Sequence, residues 1–309
     1  MHFFHLRHAR WLSAVALVAL AACQTAPVAP PTTPATPEVP PAEVVAPKPP
    51  ARPPRIGLAL GGGAARGFAH IGVIQVLEEN GIPVDLVVGT SAGSLVATLY
   101  ASGKGGVLLG QLADGMDETA FTDWSFPGRG LIRGEALAKY VRDNTGGRSI
   151  EQMRVPLGIV ATDLDNGQAI LFQRGDVGIA VRASSAVPAV FQPVRIGARE
   201  YVDGGLVSPV PVRFARQMGA ELVIAVDISA APEGNVTSDP VRMLLQTFAI
   251  MGRSINSFEL READVVLRPK LNGVSGANFA ARKSSILAGR EAALAVLPDV
   301  KQRIAAKTK

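Results

Sequence analysis

The apolar run Leu86-Val87-Val88 stops at Gly89-Thr90-Ser91-Ala92-Gly93, and the chain then takes up helical spacing from Leu95 to Tyr100. A buried strand that reverses into a helix within five residues belongs to a layered α/β arrangement, with the helix packed back on the sheet. Glycines two places to either side of Ser91 remove the β-carbons that would clash in so sharp a turn, and the turn lifts the serine hydroxyl clear of the backbone. The serine also stands at a helix N-terminus, where the dipole and the unpaired amides favour the negative charge that develops in acyl transfer. A glycine-eased turn with a capping serine fits the same five residues, so other segments must decide.

Further apolar runs at Ile56–Leu60, Leu157–Ala161, Leu222–Asp227 and Val265–Leu267 alternate with helical stretches. They predict a mostly parallel central sheet sandwiched by helices in three α/β/α layers, within one large domain from Arg55 to Lys309. Alternation in Gln168–Gln173 and Val194–Val202 adds candidate antiparallel strands. In such a sheet, ligands sit at the carboxyl ends of the parallel strands.

Gly61-Gly62-Gly63-Ala64-Ala65-Arg66-Gly67 lies at one of those ends, between the run Ile56–Leu60 and a helical stretch starting at Phe68. A glycine-rich strand-to-helix loop gathers backbone amides into an anion-binding concavity. A P-loop requires Gly-Lys-Ser/Thr where this loop has Arg66-Gly67-Phe68, and a dinucleotide fingerprint from Gly61 would need glycine at Arg66. An oxyanion hole from the amides of Gly61, Gly62 and Gly63, joined by Ala92, is the reading that remains, with Arg66 bracing the loop or meeting a phosphate.

Tyr201-Val202-Asp203-Gly204-Gly205-Leu206 reads as a strand delivering a carboxylate into a glycine turn, although a D-G hairpin turn has the same pattern. Of four histidines, His2, His5 and His8 precede a segment expected to be removed, which leaves His70 within a helix. A packed or loop-bracing role suits His70 better than a Ser-His-Asp triad. A Ser91–Asp203 dyad is the simpler solution, in which the carboxylate takes the serine proton and returns it to the leaving group. An ordinary carboxylate, with a pKa of about 4, is a weak base, so burial or geometry must assist it.

Taken together, the G-G-G-x-x-R-G loop, the G-T-S-A-G elbow and the D-G-G turn resemble the bacterial patatin-like phospholipases, relatives of plant patatin and neuropathy target esterase. The similarity extends from about Arg55 to Ile228 and takes in Ala161–Leu164, Ala183–Val194 and Val210-Pro211-Val212. Ala189 and Ser208 depart from the glycine and asparagine of that pattern. The resemblance implies a lipid acyl hydrolase of phospholipase A or lysophospholipase type, with Ser91 as nucleophile, Asp203 as proton acceptor, a phospholipid or other acyl ester as substrate and no cofactor. An acyltransferase would differ only in the acceptor that replaces water. A non-catalytic lipid- or partner-binding lipoprotein would need neither the serine nor the aspartate.

The N-terminus carries Arg7 and Arg10, then an apolar run from Trp11 to Ala22 that ends Leu20-Ala21-Ala22-Cys23. Twelve residues, all apolar but Ser13, are too short to span a bilayer and suit a secretory signal over residues 1–22. The small residues before Cys23, the only cysteine, resemble a bacterial lipobox, which predicts a lipidated Cys23. Residues 23–54 then form a tether: Gln24–Pro54 holds twelve prolines and no aromatic residue, and cannot bury enough apolar surface to fold. The expected location is the cell envelope, on the outer membrane, with Gln24 after the cysteine as the sorting cue. A net charge of +5 is too small and too scattered to argue for nucleic acid, and falls to +3 without Arg7 and Arg10.

Three features carry weaker expectations. Phe121, Trp124 and Phe126 punctuate a Pro/Gly-rich stretch that could be a lid, a membrane-touching rim or a core plug. Asp163 and Asp165 lack the further ligands of a calcium loop, so a turn closing two strands is expected and no metal site is assigned. Met243–Phe258 has apolar residues at helical spacing and reads most simply as a packing helix.

Overall fold

A computed structural model describes residues 51–117, 123–125, 129–230 and 239–309. Five parallel strands make the heart of the sheet: β1 (Ile56–Leu60), β2 (Leu86–Thr90), β4 (Leu157–Asp163), β9 (Leu222–Val226) and β10 (Val265–Leu267). Antiparallel β5 (Ala169–Phe172) and β8 (Arg199–Asp203) pair with β4, and β7 (Val194–Ile196) pairs with β8, so the order runs β10-β9-β1-β2-β4-β8-β7. The alternating runs therefore do form the antiparallel part of the sheet. A separate parallel pair, β3 (Gly130–Ile132) with β6 (Ala189–Phe191), has no counterpart in the sequence reading.

The central strands are apolar throughout because both faces are covered. Ile56, Leu58 and Leu60 of β1 point into a core shared with α1 (Phe68–Glu79) and α2 (Ala92–Ala101). Ala59, with Leu86 and Val88 of β2, points the other way, into a core shared with α6 (Val212–Gln217). These side chains are fully buried, and each isoleucine, leucine and valine among them contributes about 1.5–3 kcal/mol of transfer free energy. Around this frame lie α3 (Gly106–Asp114), α4 (Glu135–Thr145), α5 (Val177–Ser184), α7 (Pro240–Glu259) and the long α8 (Arg282–Lys307).

The fold starts slightly before Arg55. Arg52 exchanges backbone hydrogen bonds with Lys309, at 2.8 and 3.1 Å, and its guanidinium pairs with Glu221. The last residues assigned to the tether are thus fastened to the end of the domain. Among the described residues, no helix is long and apolar enough to cross a membrane.

Three expectations change or sharpen. Trp124 bridges to Ile132 and is 68% exposed, so it is no core plug; Phe121 and Phe126 lie outside the described residues. Asp163 is buried and turn-forming: it receives Arg199 at 2.6 Å and the Asp165 amide at 3.0 Å. The Met243–Phe258 stretch is helical, as read, but its large apolar residues are mostly exposed, so it is not simply a packing helix.

Candidate active site

β1 and β2 lie side by side and parallel, which brings the glycine loop and the serine turn to the same edge of the sheet. Ser91 has φ 53° and ψ −124°, a left-handed conformation costly for any residue with a β-carbon. Its neighbours fix it there. The Ser91 amide donates to Ser184 Oγ at 2.9 Å, and Ser184 Oγ donates to the Val160 carbonyl at 2.5 Å. The Ser91 carbonyl accepts from the Ser94 amide and hydroxyl. The turn closes tightly enough that a β-carbon on Gly93 would stand 2.1 Å from the Leu60 carbonyl oxygen, which accounts for the glycine.

Asp203 arrives at the end of β8, paired to β4 beside β2, and is only 5% exposed. Its Oδ1 accepts the Gly205 amide at 2.7 Å, while its own backbone is pinned by Thr162 Oγ1 and the Ala186 carbonyl. Burial pushes its carboxyl up to about 6, against the opposing pull of the Ser91 side chain and the Gly205 amide. The weakness of an ordinary carboxylate as a base is thereby reduced. The Ser91 side chain hydrogen-bonds to this carboxyl from the strained turn.

His70 is fully buried, and its Nε2 lies 2.8 Å from the Gly61 carbonyl oxygen. That acceptor requires the proton on Nε2, so the ring donates to the loop. Desolvation lowers its pKa to about 4, despite the Gly61 bond and Asp227, and the ring is neutral. His70 braces the glycine loop.

The oxyanion assignment needs correction at two residues. The Gly61 amide donates to the Val226 carbonyl at 3.1 Å and the Gly62 amide to the Pro209 carbonyl at 2.9 Å, so both hold the loop against its neighbours. Among the described residues, the amides of Gly63, Ala64 and Ala92 have no such acceptor. Gly62 has a different role: a β-carbon there would lie 3.1 Å from Ser91 Cβ and 3.9 Å from its Oγ. Arg66 is half-buried at the end of the loop.

Several supporting residues were not singled out by sequence reasoning. Ser184 holds the elbow, Thr162 holds Asp203, and Thr90 Oγ1 donates to the Ser208 carbonyl at 2.8 Å. Ser208 Oγ in turn donates to Glu259 Oε1 at 2.6 Å. Burial raises the Glu259 carboxyl, with Ser208 and Arg213 opposing. Ala189 sits at φ 66°, a position where glycine is strain-free, which explains the glycine of the related pattern. A cavity of about 60 Å³ opens beside the elbow, walled by Ala64, Phe68, Ala92, Leu95, Leu112 and Phe279 and almost wholly apolar.

A strained serine at a strand-to-helix turn, a buried carboxylate and a loop with unengaged amides are the parts of a serine acyl-transfer site on an α/β sheet. The patatin-like phospholipase family model matches residues 58–216, a span that includes all three, and the chain belongs to that family. An uncharacterized NTE family protein of Mycobacterium tuberculosis is 37% identical over 211 residues, covering 64% of this chain and 58% of that protein. Mouse patatin-like phospholipase domain-containing protein 6 is 32% identical over 191 residues, covering 59% of this chain but 14% of its own length. The chain thus spans little more than half of the first relative and a small part of the second. Among solved structures, VipD from Legionella pneumophila superposes with a TM-score of 0.56 over 81% of this chain and 68% of that one, at 16% identity; the fold is shared.

Proposed function

We propose that this protein is a serine-dependent lipid acyl hydrolase working through a Ser91–Asp203 dyad. The observation that carries the reading is the strained Ser91 beside a buried carboxylate whose pKa is raised to about 6. Ser91 Oγ attacks the acyl carbon as Asp203 takes the hydroxyl proton, and the amides of Gly63, Ala64 and Ala92 receive the oxyanion. Collapse of the intermediate breaks the ester bond, and Asp203 returns its proton to the departing alcohol. Water then attacks the acyl-serine, with Asp203 first accepting its proton and then restoring it to Ser91 Oγ, and the fatty acid leaves.

The apolar cavity beside Ala64 and Ala92 supports an acyl chain as the group recognised, and a phospholipid or lysophospholipid as the substrate. Cys23 is the lipidated residue in this reading, and residues 23–54 tether the domain to the outer membrane. The test is to incubate the purified protein with mixed membrane lipids and identify the products by mass spectrometry. Free fatty acid and lysolipid that disappear with Ser91→Ala support the proposal. Unchanged lipids, or an acyl group moved to another alcohol with no free acid, overturn it.

A further inference from the structure

Helix α7 is amphipathic in an unusual sense, because its apolar stripe faces away from the domain. At 100° per residue, Met243, Ile250, Met251 and Phe258 fall within about a quarter to a third of the helix circumference. They are 54%, 54%, 46% and 65% exposed. Only small polar residues, Thr247 and Ser254, interrupt them. The opposite side of the helix is fastened to the domain. Gly252 faces Pro209, Asn256 Nδ2 donates to Ser229 Oγ at 3.0 Å, and Glu259 receives Ser208. The stripe is therefore held outward by contacts on the far face.

We infer that this face of α7 docks on the surface of a bilayer containing anionic phospholipid. Charge selects that occupant. From Pro240 to Phe258 there is no aspartate or glutamate; Arg242 pairs with Asp239 just before the helix at 3.8 Å, and Arg253 stands along one edge of the stripe. Arg261 follows just beyond, with its guanidinium 5.2 Å from the Phe258 ring centre. Apolar side chains that enter the acyl boundary, bordered by arginines at headgroup level, are the pattern of a helix lying in the interface plane. A second copy of the chain fits less well, since a two-fold contact through the stripe would bring the flanking arginines of both copies together.

The position of the helix gives docking a consequence. Glu259 binds Ser208, whose carbonyl holds Thr90, the residue before Ser91. A bilayer against α7 thus lies against a helix linked through Glu259, Ser208 and Thr90 to the turn that carries Ser91. This surface goes beyond ester hydrolysis and stands or falls separately from it.

The test uses the full chain with Cys23→Ser, which leaves no other cysteine, and Ser91→Ala, which prevents hydrolysis. A single cysteine is introduced as Ile250→Cys or, as control on exposed α8, Leu294→Cys, and labelled with an environment-sensitive fluorophore. Vesicles of phosphatidylcholine with phosphatidylglycerol should blue-shift the probe at position 250 and raise its emission by about threefold or more, and leave position 294 unchanged. Phosphatidylcholine alone, or added Arg242→Gln and Arg253→Gln, should give a much smaller rise. No response at position 250, or an equal response at 294, overturns the proposal. A response at 250 without vesicles that grows with protein concentration also overturns it, and assigns the stripe to self-association.

Discussion

The ring of His70 donates from Nε2 to the carbonyl oxygen of Gly61 at 2.8 Å, and so the only histidine after residue 8 is a brace for the glycine loop. A brace can be replaced by another donor. His70→Gln is expected to retain activity to within about tenfold, because a neutral hydrogen bond contributes only about 0.5–1.5 kcal/mol. Steady-state hydrolysis of a soluble ester measures this directly. A loss of several orders of magnitude in a folded variant would give His70 a chemical role.

Two buried groups titrate against each other in the acid range. Asp203 is raised to about 6 by burial, so its contribution to stability is present below the unfolded pKa near 4 and is lost as pH rises through about 6. His70 is lowered to about 4, so its contribution is present above the unfolded value near 6.5 and is lost as pH falls through about 4. Asp203→Asn should therefore match the wild type in stability near pH 4 and exceed it above pH 6, by up to about 3 kcal/mol for a shift of about two units. Thermal unfolding at a series of pH values reads the crossover. Activity runs the other way: kcat/KM should rise with pH through a midpoint near 6 towards a plateau, because the base must be ionised. A midpoint near pH 4 would mean an unperturbed base.

Gly62 leaves room for the Ser91 side chain. Gly62→Val would set a branched side chain on a β-carbon 3.1 Å from Ser91 Cβ. Its amide serves the frame, so the harm is steric, directed at the hydroxyl. Turnover should fall about a hundredfold or more while thermal stability changes much less. A folded Gly62→Val protein with full turnover would show that the loop does not confine Ser91.

Location is tested at Cys23. With Arg52 fastened to the domain, the 28 residues Gln24–Ala51 are left as the proposed tether; fully extended at about 3.1 Å per residue they would reach at most on the order of 90 Å, enough for the domain to meet lipid while anchored elsewhere. Cys23→Ser is expected to leave soluble-ester hydrolysis intact and to shift the protein from a membrane fraction that survives high-salt washing towards one that salt releases. Unchanged, salt-resistant membrane retention would place the anchor in the folded domain, with α7 and Trp124 the first surfaces to alter.

The parts of the site that lie in short contiguous motifs are legible in the sequence. Ser91 and the glycine loop each sit at the end of an apolar strand and Asp203 at the end of an alternating one, and parallel pairing of β1 with β2 brings the first two together. The parts set by tertiary contacts are not legible. Nothing in three successive glycines tells which amide Val226 and Pro209 will engage. Ser184 and Thr162 are ordinary residues of a helix and a strand until folding places them under Ser91 and Asp203. The α7 period was readable, but a 3.6-residue repeat has the same form whether its apolar side faces a core or a bilayer. The available signal was Arg253 beside the stripe and no acid within it from Pro240 to Phe258.

The central claim is that Asp203 activates Ser91 without a histidine. The most direct measurement is the rate of covalent labelling by a fluorophosphonate ester, with the adduct mapped by mass spectrometry in wild type, Asp203→Asn and His70→Gln. One adduct, on Ser91, is predicted, formed at near wild-type rate in His70→Gln and about a thousandfold or more slower in Asp203→Asn. An intact, folded protein that takes no label, or a reversed ranking of the two variants, would contradict the account.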